Sequence, residues 1–343
     1  MKSTTCTPLG DSGLKVSRLW LGTMTFGDRT DEPEAASIVD AAMDAGINAI
    51  DTADSYVQGE SERITGRLIA QRRDHWVLAT KLANPTGKGP NDSGTSRRHV
   101  LQAVNASLQR LGTDWIDLLY LHRDDQSTPM AETASAMGRL IADGKIRYWG
   151  VSNFRGWRIA RLVETCRAMG VPPPIACQSP YHAMSRGIEV EVLPCCAQYG
   201  LGVVGYSPLA RGVLSAKYQT DAPPPPGSRA ANNDRRLMQT EFRRESMLLA
   251  EQAAAYAQQR GVPLSQLALG WVFNNRLINS LIGGPRTLAQ WQDYLSAIGQ
   301  PFSAEDEAFF DSLVPAGHAS TPGYTDPQYP VTGRVPAVGG NES

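Results

Sequence analysis

Short apolar runs that each end in a single ionisable side chain recur along this chain, separated by stretches of helical periodicity. The run at 48–50 ends in Asp51, the run 76–80 (W-V-L-A-T) ends in Lys81, and the run 116–121 (I-D-L-L-Y-L) ends in His122. Runs this apolar suit strands covered on both faces, as in a parallel sheet. Between them lie segments with apolar residues at helical spacing: 34–45 with Pro33 at its start and Gly46 past its end, 61–70, 98–111, 131–143, 157–169 and 187–199. Further strands are expected at 19–21, 148–151, 175–178, 202–206 and 280–282, and later helices over 246–260, 264–274, 288–297 and 304–313. Residues 5–16 read as a small hairpin around Gly10 and Gly13. Eight strands alternating with helices fit a parallel (β/α)8 barrel. An open doubly wound sheet uses the same alternation, and periodicity favours the barrel without excluding the sheet. The 343 residues suit one such domain over 1–343, with an irregular Pro- and Gly-rich tail from 314 that wraps the surface or is disordered.

Composition removes several classes of function. The 33 Lys and Arg balance 34 Asp and Glu, so there is no electrostatic case for nucleic acid or an anionic membrane. No run approaches the roughly 18 apolar residues of a membrane span, and the first ten residues lack the apolar core of a signal peptide. Five cysteines without a C-x-x-C pair argue against a disulfide framework or a metal site and for the reducing cytoplasm. Cys195-Cys196 falls on a helix and reads as packing. The stretch 200–205 matches G-x-G-x-x-G, but it follows a helix and enters a strand, the reverse of a dinucleotide-binding turn, so Gly200 reads as a helix terminator. The segment 207–245, with P-P-P-P-G at 223–227, is too long for a mere connection and reads as a functional or mobile loop.

Barrel active sites gather at the C-terminal ends of the strands. Asp51, Lys81, His122, Ser152, Asn153, Gln178 and Tyr206 stand there, with Tyr56 in the polar turn after Asp51. Singly, each has a bland reading: a cap, a solvated lysine, a core histidine, a packed tyrosine. Together, ionisable groups on three successive strand ends are hard to assign to coincidence. A phenol is a weak acid, with an ordinary pKa of about 10. A neighbouring ammonium stabilises its anion, a carboxylate holds the ammonium in place, and an imidazole can orient a substrate oxygen. The set suits proton donation to a carbonyl oxygen becoming an alkoxide. It holds no reductant, so a hydride-donating cofactor is implied.

The motifs L-G-T-M-T-F-G (21–27), D-T-A-D-S-Y-V-Q-G-E-S-E (51–62), A-T-K-L (79–82), L-L-Y-L-H-R-D-D (118–125), G-V-S-N-F (150–154) and Y-S-P-L-A-R-G-V-L-S-A-K-Y (206–218) resemble the aldo-keto reductases. The likeness runs from Leu14 to about Ala297 and is greatest to the branch with potassium-channel β subunits and long-loop bacterial oxidoreductases. It implies a barrel in which Tyr56 is the general acid, Lys81 and Asp51 lower its pKa, and His122 orients the carbonyl. It implies NADPH across the barrel top, with NADH left open. Tyr206 would stack on the nicotinamide, and Ser152, Asn153 and Gln178 would hold its carboxamide. Gly22, Thr23 and Met24 would join Asp51 beneath the cofactor. Ser207, Leu209, Arg211 and Lys217 would cover the pyrophosphate; Gly284, Arg286, Thr287 and Gln290 would hold the adenosine end. The chain departs from the family at Asp293-Tyr294, where an acid and an Asn are usual, and at Arg123-Asp124-Asp125, where a Pro is common.

Three functions follow. One is an NADPH-linked oxidoreductase acting on an aldehyde, ketone or alcohol. The second is an NADPH-binding, redox-sensing regulatory subunit with little turnover. The third is a Schiff-base lyase or aldolase built on Lys81, against which the adjacent Asp51 argues. The substrate would be set by 24–29, 84–94, 123–128, the loop after Tyr206 and the tail, none of which carries a diagnostic motif.

Overall fold

A computed structural model describes residues 5–331. The hairpin forms as expected, β1 (Cys6–Pro8) pairing antiparallel with β2 (Lys15–Ser17). There follow β3 (Leu19–Gly22), α1 (Glu32–Asp44), β4 (Ala49–Asp51), α2 (Glu60–Ile69), β5 (Val77–Leu82), α3 (Arg97–Leu111), β6 (Ile116–Leu121), α4 (Met130–Ala142), β7 (Ile146–Ser152), α5 (Gly156–Met169), β8 (Ala176–Pro180), α6 (Val192–Tyr199) and β9 (Gly202–Tyr206). After the long loop come α7 (Arg235–Thr240), α8 (Arg244–Arg260), α9 (Leu264–Asn274), β10 (Ser280–Gly283), α10 (Leu288–Ser296) and α11 (Ala304–Leu313).

The sheet closes. Strand β10 pairs parallel with β3 on one side (Leu281 opposite Leu19) and with β9 on the other, and β3 to β9 run in sequence order between them. That closure removes the doubly wound alternative and leaves no open edge. Side chains alternate across the wall. Val77 and Ala79 face the interior while Leu78 faces the helices; Leu118 and Tyr120 face in while Leu119 and Leu121 face out. The outer layer is one continuous core between sheet and helices, including Ile38, Val104, Leu140, Ile159 and Leu281. Burying each such side chain contributes roughly 1.5–3 kcal/mol. The interior layer joins Trp20, Ala49 and Ala176 to Leu9 and Val16 of the hairpin, which plugs the N-terminal end of the barrel. Gly10, at φ +57°, makes the plug fit: a Cβ there would meet the Gly200 carbonyl oxygen at 2.3 Å.

Helix ends follow local chemistry. Asp31 caps α1 by accepting from the Glu34 N–H (3.0 Å). Gly200 ends α6 at φ +73°, as a helix terminator should, and not as part of a phosphate loop. The stretch expected as one helix over 187–199 divides into a short 3₁₀ turn (Gly187–Glu189) and α6, with Pro194 in the first turn of α6, where its missing N–H has no partner to lose. The long loop is built: it holds the turn Ala210–Ser215 and the short α7. The described part of the tail, 314–331, lies against that loop, and residues 332–343 of the expected irregular tail lie outside the described residues. Among the described residues no helix is long and apolar enough to cross a membrane.

Candidate active site

The same alternation that buries Ala79 and Tyr120 in the barrel fixes where the strand ends point. Counting two residues on from the inward positions Ala49, Ala79, Tyr120, Ala176 and Val204 gives Asp51, Lys81, His122, Gln178 and Tyr206. The convergence is therefore a matter of phase: each strand leaves the barrel with its polar residue on the interior side.

At the centre is Lys81, with no exposed surface. Its ammonium donates to an Asp51 carboxylate oxygen, to the Thr52 carbonyl (2.7 Å) and to the Tyr56 hydroxyl (3.2 Å). Gln178 Nε2 donates to the other Asp51 oxygen (2.8 Å). Burial opposes the Lys81 charge, yet Asp51 and Tyr56 outweigh it and carry the pKa above the ordinary lysine value. Burial lifts the Asp51 carboxyl, and Lys81 and Gln178 pull it back. The pair is best written as ammonium and carboxylate, because both Asp51 oxygens meet donors and the Lys81 donors meet only oxygens.

Tyr56 differs from the sequence expectation in one respect. Burial raises its phenol above the ordinary value, and the opposing pull of Lys81 does not cancel this. The phenol is thus firmly protonated at neutral pH, the state a proton donor needs. The turn that carries it is strained: Val57 (φ +48°) and Gln58 (φ +53°) are both left-handed, an unusual conformation for a β-branched residue. The His122 ring meets the Tyr56 ring edge-on, centroids 5.8 Å apart. Burial, then Lys81 and Arg123, hold His122 well below the usual histidine range, so its ring is neutral, and its Nδ1 has no hydrogen-bond partner among the described residues.

These groups stand in the wall of a cavity of about 530 Å³. Of the residues named from sequence, Gly22, Thr23, Met24, Asp51, Tyr56, His122, Asn153, Gln178, Tyr206, Ser207, Leu209, Arg211, Lys217, Gly284, Arg286 and Gln290 line it. Gly22 is required by space, since a Cβ there would meet Ile282 Cγ2 at 2.6 Å. Asn153, left-handed at φ +61°, ties three strand ends together: its Nδ2 donates to the His122 carbonyl (2.9 Å) and to Ser152 Oγ (3.0 Å), and its Oδ1 accepts from the Tyr206 hydroxyl (2.8 Å). Ser207, Ala210 and Arg211 are also left-handed, folding the start of the long loop over the cavity.

Three expected residues stand elsewhere. Lys81 lies behind the wall and touches the cavity-lining Tyr56. Ser152 is buried, its hydroxyl taken up by Asn153. Thr287 does not line the cavity; its hydroxyl caps α10 by accepting from the Gln290 N–H (3.3 Å). The structure adds residues that the sequence reading did not assign to the site. Arg229 and Arg236 reach the cavity from the long loop, Asp293 and Tyr294 from α10, and Gln328 and Tyr329 from the tail. Only Asp293 and Tyr294 carried a signal, as a departure from the family pattern; the others sit in stretches without periodicity.

The site's cations are unevenly matched. Arg236 is paired with Asp326 (2.6 Å) and Arg229 lies 3.6 Å from Asp234, but Lys217 and Arg286 make no salt bridge among the described residues. Burial, then Arg286 and Arg229, push the Lys217 amine down to about 8. Cations crowded so that one begins to lose its proton mark a place suited to a multiply charged anion.

The aldo/keto reductase family model matches residues 18–315. The chain belongs to the aldo/keto reductase family. This aldo/keto reductase is 37% identical over 295 residues to a probable voltage-gated potassium channel subunit beta of Arabidopsis thaliana, covering 84% of this chain and 90% of that protein. It is 36% identical over 330 residues to the uncharacterized oxidoreductase YrpG of Bacillus subtilis, covering 92% and 98%. A putative voltage-gated potassium channel subunit beta of Schizosaccharomyces pombe is 34% identical over 315 residues, covering 90% and 89%. The branch expected from the motifs is the one these relatives represent, and membership places the chain among oxidoreductases whose family generally binds NADP(H).

Proposed function

We propose that this aldo/keto reductase is an NADPH-dependent oxidoreductase that interconverts a small carbonyl compound and its alcohol, with Tyr56 as general acid and base. The observation that carries the reading is the 3.2 Å contact from the buried Lys81 ammonium to the Tyr56 hydroxyl at the wall of a large cavity. The residues present fit the cofactor: Lys217, Arg229 and Arg286 offer positive charge for its phosphates, and the Tyr206 ring offers a flat face. NADP(H) is favoured over NAD(H) because unpaired cations suit an additional phosphate. Bound NADPH would supply the hydride.

The chain's own groups do the rest. Tyr56 gives its proton to the substrate oxygen in reduction and recovers one in oxidation. Lys81 stabilises the tyrosinate that results, and Asp51 with Gln178 keeps Lys81 in place. Neutral His122 holds the carbonyl oxygen toward Tyr56. The cytoplasm suits the five free thiols. A Schiff-base role for Lys81 is disfavoured, because an ammonium committed to three oxygens has no lone pair to offer.

The test is turnover of an aldehyde and ketone panel with NADPH. Tyr56→Phe is expected to lower kcat by about 10²–10⁴-fold with nucleotide binding intact; full turnover in the variant would overturn the assignment. The channel-subunit relatives support a second reading, a nucleotide-binding regulatory partner. Tight NADPH binding with turnover far below about 1 per second on every panel member would favour it.

A further inference from the structure

The turn that carries Tyr56 is backed by a group to which the chemistry above gives no part. After β4 the chain stays paired to β5: the Thr52 N–H donates to the Ala79 carbonyl (2.9 Å) and the Asp54 N–H to the Lys81 carbonyl (3.1 Å). Asp51 therefore points into the barrel, and Asp54, three residues on, points to the helix side of the wall. There it is buried beside Glu62 of α2 and Arg110 of α3. Arg110 also closes on the far end of the turn, where a Cβ on Gly59 would meet its Cδ at 2.6 Å. Between these two fixed points stand Tyr56 and the left-handed Val57 and Gln58.

No cation is left for Asp54. Glu62, with no exposed surface, takes the Arg110 Nε (2.6 Å) and the Thr80 hydroxyl (2.6 Å). Arg110 gives a further hydrogen bond to Ser107 (3.1 Å). Lys81 is committed to Asp51, the Thr52 carbonyl and Tyr56. Neither Asp54 oxygen has a hydrogen bond of normal geometry among the described residues. A buried carboxyl so placed keeps its proton. Burial, then Glu62, push it up to about 7, against smaller effects of Arg110, the Ser55 N–H and Lys81. Its reactive neighbours keep their charge in that range: Lys81 and Tyr56 lie above their ordinary values and His122 well below its own.

Losing the Asp54 proton matters to Tyr56. The carboxylate would face Glu62 in a dry site, and relief lies in drawing on the Lys81 ammonium or in moving the strained turn. Either loosens the Lys81 contact to the Tyr56 hydroxyl (3.2 Å). A second anion near Lys81 also opposes the tyrosinate that forms when Tyr56 gives up its proton.

We propose that Asp54 is a positioning residue for the reaction: its protonated carboxyl leaves Lys81 to Asp51 and Tyr56, and its ionisation weakens proton donation by Tyr56. The inference rests on the oxidoreductase reading above and adds a control to the same site.

The experiment follows single-turnover NADPH oxidation by the preformed NADPH complex from about pH 6 to about pH 8.5. The substrate is benzaldehyde, which cannot enolise, with the fastest aldehyde of the panel run beside it. Saturating NADPH takes Lys217, which acts on nucleotide affinity, out of the comparison. The wild-type rate is expected to fall about fivefold along one ionisation. Asp54→Asn, which keeps the shape and cannot ionise, is expected to vary by less than about twofold over the same range. Glu62→Gln is expected to keep the fall and move its midpoint to lower pH, because it removes the facing anion and frees Arg110. A purely structural Asp54 would change the rate alike at every pH. A flat wild-type profile, or an inflection that survives in Asp54→Asn, would overturn the inference while leaving the oxidoreductase reading intact. A wild-type protein that binds NADPH but oxidises none of it with any member of the panel would overturn both.

Discussion

Lys81 is the residue on which the site's energetics concentrate. A fully buried ammonium is tolerable because Asp51, the Thr52 carbonyl and Tyr56 surround it. Asp51→Asn removes the opposing charge and leaves the ammonium stranded, an expected loss of about 3–5 kcal/mol in chemical denaturation; the double variant Asp51→Asn, Lys81→Met is expected to recover most of that loss while remaining inactive. Asp54, two residues before Tyr56, poses the opposite problem. Its side chain is buried and, among the described residues, both oxygens lack a hydrogen bond of normal geometry. Burial, then the Glu62 carboxylate, raise its pKa to about 7, against a smaller opposing effect of Arg110. The folded protein therefore holds this proton more tightly than the unfolded chain, whose Asp titrates near about 4. Stability is expected to fall as pH rises from about 4 to about 7 and to level off above. Thermal denaturation across that range should show the slope in the wild type, and Asp54→Asn should flatten it and be the more stable protein at pH 8.

At the scale of elements, packing leaves some positions no freedom. Helix α2 approaches α3 so closely that a Cβ on Gly66 would lie 2.2 Å from the Leu111 carbonyl oxygen, a backbone atom that cannot swing aside. Gly66→Ala is expected to destabilise the protein by roughly 2 kcal/mol or more, read as a lower Tm, although alanine is the better helix former. The strands and helices themselves were legible from sequence because their signals are local: period-two or 3.6 patterning, Asp31 before α1, Gly200 after α6. The long loop was legible only as an anomaly of length. Its order comes from distant partners, His182 facing Glu241 (3.3 Å) and Arg236 gripping Asp326 across 90 positions of sequence. Nothing in its Pro-rich, weakly apolar composition announces those pairings.

For the molecule as a whole, the cavity joins a cationic end under the long loop to a neutral, polar end under the tail. Lys217 belongs to the first. Its amine begins to deprotonate near 8 in the free protein, and an anionic nucleotide binds best to the charged form. NADPH affinity, measured by titration calorimetry, is therefore expected to weaken as pH rises above about 8. Lys217→Met should weaken binding about 10–100-fold at pH 7 and lose that pH dependence.

The sequence by itself determined the alternation of strand and helix, the inward phase of Asp51, Lys81, His122, Gln178 and Tyr206, and, through its motifs, the family. These are properties of neighbours in the chain, where a two-residue repeat or a cap residue acts over a few ångströms. Only the tertiary structure decided that the sheet closes, that Ser152 and Thr287 are occupied by local partners, that burial outweighs Lys81 at the Tyr56 phenol, and that Arg229, Arg236 and Tyr329 reach the site. Each depends on groups far apart in sequence coming within hydrogen-bond or Coulombic range, and on water being excluded where they meet. No local pattern encodes that.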